Sequence, residues 1–155
     1  MILLFLGFTH SPLMQVQVER AGQVWMQGPE APLCAGDRVV LQVLPPVAGR
    51  IWLQHDGTGN THRTLYPLAP TDPVMGGPGQ EIQMPASGVY LVKPPAGTEH
   101  FTLYIQPAAQ ENAVADAGPV VGVRFKGFSW EEAPQALLQG EAVRVDFSLE
   151  QVECG

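Results

Sequence analysis

Residues 141–149 read Glu-Ala-Val-Arg-Val-Asp-Phe-Ser-Leu, with apolar side chains at 143, 145, 147 and 149 and mostly polar ones between them. A period of two belongs to an extended chain, whose successive side chains point to opposite faces. A helix returns to the same face only every 3.6 residues or about that. The alternation recurs along the chain. Residues 15–20 set Val16 and Val18 against Gln15, Gln17 and Glu19, and residues 37–44 align Val39, Leu41 and Val43. Residues 50–54 do the same with Ile51 and Leu53, and residues 99–105 with Phe101, Leu103 and Ile105. Shorter candidates at 23–27, 61–67, 80–84, 89–93 and 120–126 bring the total to about ten strands, separated by turn clusters, the pattern of an all-β sandwich or barrel. The 17 glycines and 15 prolines supply those clusters, since glycine accepts positive φ and proline ends a ladder. A parallel sheet would need long helical crossovers, for which the spacing leaves no room. One helical piece is expected. Ser129 and Glu132 have capping-box spacing, Pro134 interrupts, and a short helical stretch over 134–139 stops at Gly140.

The chain has 155 residues, the length of one domain able to bury a core of its own. Its net charge is −7, with lysine only at Lys93 and Lys126 and the arginines scattered. Nucleic acid is thereby excluded as a partner, because affinity for it rests on clustered cations facing phosphates. An electrostatic grip on anionic membranes is excluded for the same reason. The opening run, residues 1–8, is apolar but too short to span a bilayer. It lacks the basic start and small-residue cleavage site of a secretory leader. A buried first strand is the favoured reading; an atypical leader and a misplaced start are the alternatives. Residues 107–118 read as a connector. Cys34 and Cys154 form no CxxC motif. They can pair if the last strand runs beside the start of the third, and two unbonded thiols are the alternative.

Residues 55–62 read His-Asp-Gly-Thr-Gly-Asn-Thr-His between two expected strands, so their glycines and asparagine serve a tight hairpin first. If residues 54 and 63 continue the ladder, His55 and His62 face each other and could share a cation with Asp56. Solvent-facing histidines at strand ends are the favoured alternative, because no third rigid ligand is evident. Ser87 sits in a turn without a nucleophile elbow, and no zinc-protease, Walker or dinucleotide motif occurs. Gly76 to Gly79 precede a strand rather than a helix, which removes the usual phosphate cradle. Glu131 and Glu132 are adjacent instead of facing across a cleft. The expectation is a protein that is not an enzyme and needs no cofactor. Trp52 and Tyr104 oppose the apolar stripes of their strands, as Trp25 could, and so could offer an aromatic platform to a sugar or peptide. A second buried face under extra segments is favoured over that platform.

The stretch 35–107 carries an ordered series: Gly36-Asp37 opening a strand, Gly49 opening the next, Asp56-Gly57 at a hairpin leading to Leu65-Tyr66-Pro67. Gly76 to Gly79 then precede Ile82 and Pro85, and Gly97-Thr98-Glu99 opens the last strand of the series. This order resembles the bacterial family described as domain of unknown function 4384. Arg50 stands where that family usually has an aromatic residue, and Tyr66 stands in place of Phe. The resemblance implies a β-sandwich accessory domain of exported or envelope proteins, with no catalytic residues to carry over. The expected protein is a single immunoglobulin-like β-sandwich of about 8–10 mostly antiparallel strands with one short helix, its C-terminal extension spanning 108–155. Its expected role is a non-catalytic binding or assembly module with a protein partner, in the periplasm or envelope, with the cytoplasm as the alternative. A carbohydrate or peptide binder on the aromatic face and a metal-dependent hydrolase at the hairpin are the rival readings.

Overall fold

A computed structural model describes residues 13–27, 32–57, 61–108 and 123–155. Two sheets face each other. The first consists of β1 (Met14–Arg20), β2 (Gln23–Gln27), β4 (Arg38–Val43), β8 (Ile82–Met84) and β9 (Tyr90–Leu91). Its order is β2-β1-β4-β8, with β9 on the same side of β4 as β8 but at the other end. The second contains β5 (Gly49–Gly57), β6 (Thr61–Tyr66), β10 (Gly97–Pro107), β11 (Lys126–Gly127) and β12 (Val143–Val152), in the order β11-β12-β10-β5-β6. Two short strands complete it: β3 (Leu33–Cys34) along β12 and β7 (Met75–Gly76) along β5. Every pairing is antiparallel except those of β3 and β11 with β12. The chain passes between the sheets from β2 to β3, β3 to β4, β4 to β5, β7 to β8 and β9 to β10, so that strands distant in sequence are combined in each layer of the sandwich.

The alternating residues fill the space between the sheets. Val16, Val18, Val39, Leu41, Val43, Ile82 and Met84 from one sheet meet Ile51, Leu53, Leu103, Ile105, Val143, Val145 and Leu149 from the other in one buried cluster. Phe147 is only partly buried at its edge. The helix α1 (Ala133–Leu138) adds Ala133, Ala136 and Leu137 to the cluster. Pro134 lies in its first turn, where a missing N–H costs nothing. Half of the expected capping box forms: the Glu132 carboxylate accepts the Ser129 N–H at 3.2 Å, while the cap position itself has no side-chain bond. Gly49 lets β5 approach β10 closely, since a Cβ there would lie 2.8 Å from the Gln106 carbonyl oxygen.

Two devices tie down the sandwich end nearest β3. Asp37 is 1% exposed and accepts both the Nε and an Nη hydrogen of Arg20 at 2.7 Å, with the Cys34 N–H at 2.8 Å. Arg20 in turn lies over Trp25 at 5.1 Å. The second device is a disulfide between Cys34 and Cys154, with Cα atoms 5.6 Å apart, made possible because β3 runs beside β12 in register Val152 to Cys34. Among the described residues, no helix is long and apolar enough to cross a membrane. The expected buried first strand, residues 120–122 and most of the 107–118 connector lie outside the described residues. Of the strand expected at 120–126, residues 123–125 are not extended into a ladder and only Lys126 joins one, in β11.

Candidate functional site

Along β5 the side chains of Ile51, Leu53 and His55 share the inner face, and Trp52, Gln54 and Asp56 the outer. The ladder between β5 and β6 shifts after Leu53, which pairs with Tyr66 while Gln54 pairs with Thr64. One extra residue, Leu65, is thereby accommodated as a bulge, and beyond it His55 faces Arg63 and Asp56 faces His62. A register one residue away from the expected one exchanges the faces. His55, Asp56 and His62 therefore do not converge as a metal set. Asp56 and His62 pair on the exposed outer face, at 2.5 Å between Oδ1 and Nδ1, and His55 turns inward. Among the described residues, no group of three metal-ligating side chains comes together.

The aromatic platform is also not formed. Trp52 is 4% exposed. It stacks on its cross-strand neighbour Tyr104 at 5.2 Å, and Phe125 closes edge-on over both rings at 5.4 and 5.3 Å. Phe125 of the C-terminal extension covers this part of the outer face, as the favoured reading expected, and burial raises the Tyr104 hydroxyl pKa above its ordinary value. Trp25 belongs to the other sheet, half-buried against the core and under Arg20. No single ligand face contains all three.

What the inner face does contain is a cleft of about 580 Å³ opening between the sheets at the end where His55 lies. Leu33, Val39, Leu41, Leu65, Phe101 and Leu149 form its apolar walls, and Thr61, Arg63 and Lys93 are exposed residues along its lining. Inside, His55 is 8% exposed and its Nε2 lies 2.7 Å from the Glu99 carboxylate. Because a carboxylate only accepts, the shared proton is assigned to Nε2. His55 Nδ1 has no partner among the described residues and is closed off from solvent, so neither ring nitrogen is offered to a ligand. Phe101 packs on the ring at 4.9 Å. Gly57 makes room for the pair: a Cβ there would sit 2.9 Å from His55 Cε1 and 3.1 Å from Glu99 Oε2.

Tyr90 and Tyr66 brace the wall behind Leu65. Tyr90 donates to the Leu65 carbonyl at 3.0 Å, and Tyr66 donates to the Pro73 carbonyl. Burial, together with the charge of Asp72, pushes the Tyr66 hydroxyl up to about 12 and raises that of Tyr90 as well. Both therefore remain neutral donors.

Glu99, Arg63 and Lys93 were not singled out in the sequence, yet a signal existed for the first. Glu99 is in phase with Phe101 and Leu103, as His55 is with Ile51 and Leu53, so each strand places one polar group on its apolar stripe. A third pair, Ser148 Oγ and His100 Nδ1 at 2.9 Å, lies on the exposed outer face. Comparisons with protein-family models, with curated proteins and with solved structures find no match for this chain.

Proposed function

We propose that this protein is a non-catalytic binding module of an extracytoplasmic bacterial system, and that the cleft between its sheets holds its ligand. The observation that carries the reading is the cleft itself: an apolar concavity with a few convergent polar groups, of a size within the roughly 300–1,000 Å³ usual for small-molecule sites. His55 Nε2 is held by Glu99 and Nδ1 is closed off from solvent, which favours holding a ligand over proton transfer. The disulfide supports an oxidising compartment, and the ordered turns of residues 35–107 support an accessory role beside larger partners. A neutral fluorescent probe, N-phenyl-1-naphthylamine, is expected to bind the folded protein saturably at one site. Leu91→Trp, a change at an exposed position on the lining, should abolish that signal without lowering the melting temperature. Absence of saturable binding, or an unaffected Leu91→Trp variant, would remove the cleft as the functional site.

A second reading, assembly with a protein partner, is favoured by β2, which among the described residues ends its sheet and exposes Val24 and Met26. Such edges accept an added strand. Crosslinked pull-down from fractionated cells should recover a partner that Val24→Lys loses.

A further inference from the structure

Resting on the cleft as the binding site, we propose that its occupant is a single-chain amphiphile with an anionic head. A hydrocarbon tail lies between the sheets, and a carboxylate or phosphate is held at the mouth by Arg63 and Lys93. Three observations lead to this chemistry.

The first is where the polar groups are used up. Among the lining residues, His55 and Glu99 are bonded to each other and the Tyr90 hydroxyl is bonded to the Leu65 carbonyl, which leaves the Gln151 amide and the Thr61 hydroxyl as the neutral polar side chains of the lining. A sugar lodged between these walls would bring hydroxyls with few partners to meet them, and each unmatched polar group costs more than an apolar one in the same place. A hydrocarbon tail asks for none.

The second is the placement of positive charge. The chain has 8 lysines and arginines and a net charge of −7. Arg20, Arg38, Lys126 and Arg144 are each engaged with a carboxylate. Of the four that remain, Arg63 and Lys93 both stand on this one lining. An acidic protein that collects at an apolar mouth two cations paired with no carboxylate among the described residues presents a local field opposite in sign to its net charge.

The third is the state of the single carboxylate on the described lining. Glu99 is bonded to His55 at 2.7 Å and, among the described residues, forms an ion pair with neither Arg63 nor Lys93. Gly57 keeps that arrangement sterically possible, because any side chain there would press on the pair. Arg63 lies directly across from His55 in the β5–β6 ladder, on the inward side. The head of a bound amphiphile would thus meet Arg63 and Lys93 at the surface while its tail runs inward past Phe101 toward Leu41.

The test uses the whole oxidised chain and displacement of N-phenyl-1-naphthylamine, with decanoate, decanol and decyltrimethylammonium below their critical micelle concentrations. Decanoate is expected to compete with one-to-one stoichiometry, about tenfold more effectively than decanol, since charge-assisted contacts with arginine and lysine are the strong ones. Decyltrimethylammonium should be weaker still. Arg63→Glu combined with Lys93→Glu changes only exposed side chains, and it should remove the preference for decanoate while leaving the neutral probe bound. A lysophosphatidic acid of similar tail length distinguishes a free carboxylate from a lipid phosphate as the natural head, and stronger displacement by either supports the proposal. The proposal is overturned if the probe binds and Leu91→Trp blocks it, yet decanoate competes no better than decanol, or the double charge reversal leaves the preference in place. That pattern would leave the cleft as a site for a neutral ligand. Failure of the neutral probe itself to bind would instead remove the functional reading beneath it.

Discussion

Asp37 shows how one buried charge is made tolerable. Its carboxylate faces two N–H groups of Arg20 and the backbone N–H of Cys34. The Arg20 hydrogen bonds hold its pKa below the ordinary carboxylate value against the opposing effect of burial. A lowered folded-state pKa means that the unfolded chain takes up the proton first as pH falls. The contribution is therefore complete above about pH 4, the unfolded value, and is lost as pH drops through the folded one. Asp37→Asn is expected to lower stability in urea by about 1–3 kcal/mol at neutral pH and to flatten the acid limb of the stability profile. An unchanged urea midpoint at pH 7 would show that the β1–β4 anchor lies elsewhere. The opening Gly36-Asp37 turn was legible in the sequence. The partnership with Arg20 was not, because seventeen residues separate the two and only the pairing of β1 with β4 brings them together.

Whole elements were read most reliably where burial is one-sided. The alternation over residues 141–149 corresponds to β12, with Val143, Val145 and Leu149 buried, because its opposite face meets solvent and so must be polar. The expected strand at 23–27 and the observed β2 coincide. Reading by alternation fails at β6, where the bulge at Leu65 shifts the register and moves His62 away from His55. A bulge has no local signature in a Thr-His-Arg-Thr-Leu-Tyr run; it is decided by the packing of Leu65 and Tyr66 into the core. The outer face of β5 illustrates the same limit: burial of Trp52 under extra segments is the favoured reading, but that Phe125, far along the chain, is the residue that closes over it is decided by tertiary packing. Helix α1 holds its place by tertiary contact more than by its length, because six residues cannot sustain a helix alone. Leu137→Ala, at a fully buried position, is expected to cost about 2–4 kcal/mol in equilibrium unfolding. A loss below about 1 kcal/mol would mean that the helix is peripheral to the core.

Across the molecule, the disulfide spans a sequence separation of 120 residues and fastens β3 to the end of β12. Closing so long a loop restricts the unfolded chain more than the folded one, with a chain-entropy limit of about 5 kcal/mol and typical measured values of about 2–4. Replacing both cysteines by serine should therefore lower the melting temperature markedly. The cleft should keep its affinity for the neutral probe at temperatures well below the transition, although Leu33 beside Cys34 lines it. A double variant as stable as the parent would assign the bond no role in the fold. The same covalent closure bears on how the protein responds to tension. A stretch of 120 residues has a contour of roughly 400 Å at about 3.4 Å per residue, and none of that length can be drawn out by force while the bond is intact. Pulled by an attached partner or a surface, the oxidised protein yields only the segments outside the loop, whereas the reduced protein can extend along its whole contour.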